Sequence, residues 1–181
     1  MSDAPPPGAT PGDVGGPGLL TLDETKATIV FRRLLHHPIH DVWTAITDPK
    51  ELEAWFLAKV RRTDAPGGSL EMDHPNGTHA TGQVLAWRPP HLYEYAWNLP
   101  AGPNRPDGEA SIVRWELTSV DEGTLLVLTH RKLSAATARV FVRGLGDLLG
   151  RLAAQLDGRP LPNPPWLTPA AARAAATDPP R

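Results

Sequence analysis

The sequence contains no cysteine, and this excludes disulfide bonds, thiolate catalysis and metal sites with sulfur ligands. It has no excess of positive charge, since 18 Lys and Arg residues stand against 20 Asp and Glu residues for a net charge of −2. Nucleic-acid binding, which needs a basic stripe, is therefore not expected. No apolar run approaches the roughly 18–20 residues of a membrane span, and the N-terminus does not resemble a secretory signal. We expect a cytoplasmic protein without a membrane span.

Both ends of the chain lack the apolar residues that a folded core requires. Residues 1–19 are rich in proline and glycine, and residues 159–181 are rich in proline and alanine. Such segments cannot bury enough surface to offset the entropy lost on ordering. The sequence therefore predicts one domain over residues 20–158, a disordered leader before it and a tail after it. Within the tail, Trp166 is expected either to dock on the domain or to recruit a partner.

The longest regular pattern runs from Ala135 to Leu156, where apolar residues recur three, four and seven apart. This spacing predicts an amphipathic helix of about 33 Å, as long as a small domain is wide. Ser134 is a suitable N-cap, and Asp157-Gly158 ends the pattern as expected. The apolar stripe consists of Phe141, Leu145, Leu148, Leu149, Leu152 and Leu156. It needs an apolar partner, and the regular segments upstream are mostly strands.

Residues 26–35 alternate between apolar and polar positions and predict the first strand. Two short helices are predicted to follow, at about 38–47 and 50–55, with Asp48 capping the second. Further strands are expected at 57–63, 69–73, 78–88, 91–98, 110–120 and 124–132. Because tight turns join consecutive strands, the sheet should be antiparallel with one face for a core. The predicted class is α+β, with a curved sheet of six to seven strands around the C-terminal helix.

Five segments, in this order, resemble the activator of heat-shock-protein-90 ATPase homologue-like group within the START/polyketide-cyclase superfamily. They read PIHDVWTAITDPKELEAWF, PGGSLEM, GQVLAWRPPHLYEYAW, SIVRWELTSVDEGTLLVLTH and GLGDLLGRLAAQLDG. The resemblance covers residues 26–158 and implies the helix-grip, or START-like, fold. In that fold a seven-stranded antiparallel sheet grips the C-terminal helix and leaves a cavity between them.

One position departs from the family pattern. Relatives usually carry Trp after the glycine that opens the last motif, whereas Leu145 follows Gly144 here. A smaller side chain at a cavity-lining position enlarges or reshapes the pocket, unless another tryptophan fills the space. Both alternatives stay open at this stage.

The cavity is expected to be lined largely by aromatic and aliphatic side chains, as small-molecule sites are. Trp55-Phe56 lies where short helices meet strand ends, and His130 shares a strand face with Leu126 and Leu128. Core filling and ligand contact remain alternatives for the tryptophans and for His130. The predicted ligand-binding residues are Trp55, Phe56, Trp97, Trp115, His130, Phe141, Leu145 and Leu148.

Metal and catalytic sites are less well supported. His36, His37 and His40 cluster beside Asp41, but Pro38 interrupts their helical spacing, so no metal site is expected. No nucleophile–base spacing or phosphate-binding loop is present, and no cofactor is expected. Five side chains are candidate acid–base groups, namely Glu71, Glu94, Arg114, Glu116 and His130. For Arg114 and Glu116, which share a strand face, a solvent-side ion pair is favoured.

The leading hypothesis is a binding protein that holds a small hydrophobic or amphipathic molecule between the sheet and the C-terminal helix. One alternative is a chaperone ATPase-activator-like interaction module, disfavoured because residues 1–19 are too short for the N-terminal domain that the eukaryotic co-chaperone uses. Another is a cyclase- or hydrolase-type enzyme that uses the same cavity. Whether the chain turns over a substrate, and whether it forms a homodimer, stay open.

Overall fold

The computed structural model describes residues 15–23, 25–102, 106–164 and 167. Within them the chain forms an α+β helix-grip fold, which confirms the predicted class. The elements are β1 (Leu19–Asp23), β2 (Lys26–Leu35), α1 (Ile39–Thr47), α2 (Pro49–Trp55), β3 (Lys59–Arg62), β4 (Ser69–Asp73), β5 (His79–Arg88), β6 (Leu92–Leu99), β7 (Glu109–Val120), β8 (Gly123–Leu133) and α3 (Ala135–Leu156). None of these helices is long and apolar enough to cross a membrane.

The strands form one antiparallel sheet in the order β1-β2-β8-β7-β6-β5-β4-β3. Apart from the pairing of β2 with β8, neighbours in the sheet are neighbours in sequence. Inward side chains form rows across the strands: Tyr93 faces Trp115, which faces Leu128, and Val113 faces His130. These side chains are buried, so the core lies between this inner face and the three helices.

The sheet has eight strands in the described part of the chain, one more than the upper prediction, because β1 was not foreseen. It pairs with β2 from Leu19↔Val30 to Asp23↔Lys26. The segment before it, which the sequence assigned to a disordered leader, also lies along β2. A Cβ at Gly18 would lie only 2.4 Å from the ring of Phe31, so any other residue at this position requires the ring to move. Residues 1–14 of the predicted leader, and Trp166 of the predicted tail, lie outside the described residues.

The short helices begin as their sequences predict. Asp48 accepts hydrogen bonds from the backbone N–H groups of Lys50 (2.9 Å) and Glu51 (3.2 Å), and Pro49 occupies the first helical position of α2. On α1, Val42 and its apolar neighbours are buried against the core. The two helices thus close one end of the grip.

Helix α3 has the predicted bounds, and a buried carboxylate secures its start. Glu109 accepts hydrogen bonds from the Ser134 N–H (2.8 Å), the Ser134 hydroxyl (2.8 Å) and the Thr137 hydroxyl (2.6 Å). Burial raises the pKa of Glu109, but these hydrogen bonds outweigh that effect and hold the pKa below its usual value. The negative charge also lies at the positive end of the helix dipole.

Replacement of Glu109 by Gln is expected to lower the free energy of unfolding by about 1–2 kcal/mol, because charge-assisted hydrogen bonds and the dipole interaction are weakened. Denaturant unfolding at neutral pH measures this loss. Glu116→Gln, on the solvent side of the same strand, is the matched control and should stay within about 0.5 kcal/mol. Equal losses in the two variants would contradict the capping role.

Arg151 joins three segments at the other end of α3. Its side chain is 4% exposed, and its guanidinium donates to the carbonyls of Trp55 (2.8 Å), Ala54 (2.7 Å) and Pro162. The end of α2 and the chain after α3 are therefore fastened to the C-terminal half of α3, where Leu149 and Leu152 are also buried.

Candidate functional site

An interior aromatic cluster runs between the sheet and the helices. Each ring contacts the next one in a continuous row. The centroid separations are 6.2 Å for Trp115–Trp55, 5.3 Å for Trp55–Phe56, 5.9 Å for Phe56–His74 and 5.9 Å for His74–Trp97. Phe141 and His130 complete it. The interior aromatic cluster consists of Trp55, Phe56, His74, Trp97, Trp115, His130 and Phe141.

Six of the eight predicted ligand-binding residues therefore lie in one contact network. Leu145 and Leu148 follow Phe141 on α3 and are half-buried against the core. His74 belongs to the cluster but was not predicted, because its sequence context is a hairpin turn. No alternation marks a turn residue as inward-facing, so the sequence carries no signal for it.

Three tight ring contacts define the end of the cluster beneath α3. The ring centroid of Trp97 lies 5.3 Å from that of His130 and 5.5 Å from that of Phe141. The rings of His130 and Phe141 stack on each other, with centroids 5.7 Å apart and an interplanar angle of 30°. Trp97 and His130 are 8% and 1% exposed. This end of the cluster combines flat apolar surfaces with nitrogen atoms.

Several of these buried nitrogen atoms have no hydrogen-bond partner among the described residues. They are Trp97 Nε1, His130 Nδ1 and His74 Nε2. By contrast, the Trp55 indole N–H donates to the Ala45 carbonyl at 2.8 Å, so Trp55 acts as a satisfied core anchor. Leaving a buried polar group unpaired costs about 1–3 kcal/mol, and native proteins contain few such groups. The three nitrogen atoms belong to adjacent rings, since the His74 and His130 rings both contact Trp97.

The histidines of the cluster are held neutral. Burial lowers the pKa of His130 from 6.5 to about 3, against the opposing charge of Glu109. Burial likewise lowers the pKa of His74 from 6.5 to about 4, against the opposing charge of Asp73. At neutral pH both rings therefore offer one N–H donor and one nitrogen acceptor each.

The space enclosed beside the cluster is small. A cavity of about 10 Å³ is lined by seven side chains, among them Phe56, Trp115 and Tyr95. That is close to the minimum for one water molecule, whereas small-molecule sites measure about 300–1,000 Å³. The resemblance implied an open cavity, but here the grip is closed, and a larger guest requires side chains to move.

Four of the five candidate acid–base groups lie outside the grip. Glu94 pairs with Arg114 (3.3 Å) and Arg131 (2.9 Å) on the outer face of the sheet. Arg114 also pairs with Glu116 at 2.9 Å, which confirms the predicted solvent-side ion pair. Among the candidates only His130 faces the interior.

The three histidines near the start of α1 serve separate contacts. His36 Nδ1 donates to the Glu122 carbonyl (3.0 Å), His37 Nε2 lies 2.8 Å from Asp157 Oδ1, and His40 is exposed. Hydrogen bonds from His37 and Arg159 hold the pKa of Asp157 below its usual value. Across the part of the chain that the structure describes, no three His, Asp or Glu side chains are grouped to hold a metal ion.

Comparison with known proteins places this fold. No curated protein matches the sequence. Among solved structures, protein MLL2253 from Mesorhizobium loti is 27% identical with a TM-score of 0.66, over 74% of this chain and 99% of that chain. CalU16 from Micromonospora echinospora is 25% identical with a TM-score of 0.61, over 83% and 81%. DynU16, from the dynemicin biosynthetic locus, is 23% identical with a TM-score of 0.63, over 76% and 49%, and shows the fold alone.

The sequence model of the Activator of Hsp90 ATPase homolog 1-like protein family matches residues 36–157. The match contains both short helices, strands β3 to β8 and the whole of α3, and therefore every residue of the interior aromatic cluster. The chain belongs to the Activator of Hsp90 ATPase homolog 1-like protein family.

Proposed function

We propose that the protein binds one small, largely apolar molecule between the inner face of the sheet and the middle of α3. The observation that carries this proposal is the set of unpartnered nitrogen atoms of Trp97, His130 and His74 within an aromatic cluster. A guest with an apolar body and a few polar atoms supplies the missing hydrogen bonds. Such a site, mostly aromatic with few polar groups, has the composition of small-molecule pockets.

The packing of α3 indicates how room for a guest is made. Its C-terminal half is fixed by Arg151 and by the buried Leu149 and Leu152. In its middle, Phe141, Leu145 and Leu148 are only half-buried. This helix also carries three glycines, at positions 144, 146 and 150, and each costs about 1 kcal/mol of helix propensity relative to alanine. The middle of α3, between the Glu109 hydrogen bonds at its start and the Arg151 hydrogen bonds near its end, is thus the part of the grip that opens at least cost.

Binding is favoured over catalysis by the chemistry of the interior. A histidine whose pKa is about 3 is a weak base at neutral pH, so His130 is poorly suited to remove protons. The carboxylate Glu94 is held in outer-face ion pairs, and Glu109 is engaged at the start of α3. The cluster therefore suits recognition of a guest more than its conversion.

A thermal-shift screen with planar aromatic compounds tests the proposal. A guest at 100 times its dissociation constant should stabilise the fold by about 2.7 kcal/mol. For a chain of this length that corresponds to a rise in Tm of roughly 5–11 °C. The absence of any shift across naphthalenes, anthracenes and flavone-type compounds would count against it.

Leu145→Trp locates the site. A larger ring at this half-buried position fills the space that a guest needs, so binding should weaken at least tenfold while the protein remains folded. Val140→Trp is the matched control, because Val140 is 68% exposed on the same helix and its replacement should leave binding unchanged. If Leu145→Trp binds as well as the original protein, the site lies elsewhere.

A further inference from the structure

The hydrogen-bond direction at His130 is fixed by its neighbour Ser111. The Ser111 hydroxyl donates its single hydrogen to the Trp97 carbonyl at 3.0 Å. The same oxygen lies 2.9 Å from His130 Nε2, so Nε2 must be the donor and the Ser111 oxygen the acceptor. It follows that the proton of the neutral ring is on Nε2 and that Nδ1 carries a lone pair.

This lone pair faces no donor among the described residues, although His130 is 1% exposed. Beside it, the Trp97 ring, 5.3 Å away between centroids, carries an indole N–H without an acceptor. The interior thus holds two buried nitrogen atoms with opposite requirements. His130 Nδ1 can only accept a hydrogen bond, because the ring proton is on Nε2, and Trp97 Nε1 can only donate one. The stacked ring of Phe141 adds a flat apolar wall.

We propose that the guest is a phenol or an enol of an aromatic ring system, whose hydroxyl donates to His130 Nδ1 and accepts from Trp97 Nε1. This inference rests on the proposed function and specifies its ligand class. A hydroxyl both donates and accepts through one oxygen atom. A ketone, an ether or a carboxylate would set its own lone pairs against Nδ1 and leave the histidine unpaired.

The test uses three probes of nearly the same size with the full chain, namely 1-naphthol, 1-methoxynaphthalene and naphthalene, measured by titration calorimetry. The ether keeps the oxygen acceptor but has no donor. The naphthol should bind about tenfold more tightly than the ether, as expected for one buried hydrogen bond. Naphthalene should bind no better than the ether.

Two variants separate the hydrogen bond from the size of the methyl group. In His130→Phe the acceptor is gone, so the preference for naphthol over its ether should vanish. In Ser111→Ala the ring is free to place its proton on either nitrogen, and the preference should fall below about threefold. Nitrogen NMR of the unliganded protein provides a readout that does not depend on binding, since it should show a protonated Nε2 and an unprotonated Nδ1 on His130.

The outcomes are distinguishable. If the naphthol and the ether bind equally, the inference fails while the proposed binding function stands. If none of the three probes binds, both fail for aromatic guests. A protonated Nδ1 on His130 in the NMR spectrum overturns the inference whatever the affinities are.

Discussion

Lowering the pH from about 7 to about 5 should destabilise the fold by roughly 3–4 kcal/mol. The cause is the burial of two histidines in neutral form. His130 has its pKa lowered to about 3 and His74 to about 4, each from 6.5. Below pH 6.5 these two histidines bind protons in the unfolded chain but stay neutral in the folded chain, so a lower pH favours unfolding.

The direction of the stability change and the pH range over which it occurs follow from these pKa values. Since the unfolded state binds more protons, stability rises with pH between the folded and the unfolded pKa values. Each histidine contributes about 1.4 kcal/mol for every pH unit below 6.5, until its folded pKa is reached. The carboxylates with lowered pKa values, such as Glu109, act in the same direction but only near and below their usual value of 4.5. The interval from pH 6.5 to 5 therefore isolates the histidines.

Denaturant unfolding at several pH values in this interval measures the slope of the free energy of unfolding against pH. His130→Phe should remove about half of it, whatever the effect of the variant on stability at neutral pH. His40→Gln, which changes a solvent-exposed histidine, is the control and should retain the full slope. A free energy of unfolding that is the same at pH 7 and pH 5 would refute the assignment of neutral buried histidines.

Replacing Arg151 by Ala should lower the free energy of unfolding by about 3 kcal/mol. The guanidinium makes charge-assisted hydrogen bonds to the carbonyls of Ala54 and Trp55, and its loss leaves these acceptors without their partner. Its aliphatic stem is also buried, so packing is lost as well. For a chain of this length the expected decrease in Tm is roughly 6–12 °C.

Two further variants divide this loss into its parts. Arg151→Met keeps most of the buried stem and removes only the hydrogen bonds, so it should be less damaging than Arg151→Ala. Arg159→Ala removes an exposed guanidinium that pairs with Asp157, and little measurable change is expected. If Arg151→Ala were as mild as Arg159→Ala, the proposed fastening of α2 to α3 would be wrong.

Local patterns made much of the fold predictable. The bounds of α3 follow from an apolar period with a serine before it and Asp157-Gly158 after it, and these signals lie within one short stretch of sequence. Asp48 and Pro49 start α2 for the same reason. His130 was expected to share the orientation of Leu126 and Leu128, and all three are buried. Each of these predictions depends only on neighbouring residues.

The features that were missed depend on distant residues. Strand β1 is exposed along most of its length, so its sequence lacks the alternation that marks a half-buried strand. Arg151 bonds to backbone carbonyls 96 and 97 residues away, and carbonyl groups leave no trace in a sequence. The size of the interior cavity likewise depends on how side chains from several elements meet, which no single segment determines.

Strand β1 has a consequence for any shortened version of this protein. A chain that begins at residue 20, where the sequence alone placed the start of the domain, loses Gly18 and with it the close cover over the ring of Phe31. It also loses the first pair of the β1–β2 ladder, Leu19↔Val30. Part of β2 then becomes an open edge with unpaired backbone groups beside a buried phenylalanine, which is a template for strand-to-strand aggregation. A shortened chain should therefore begin no later than Gly15, whose N–H donates to the Arg32 carbonyl.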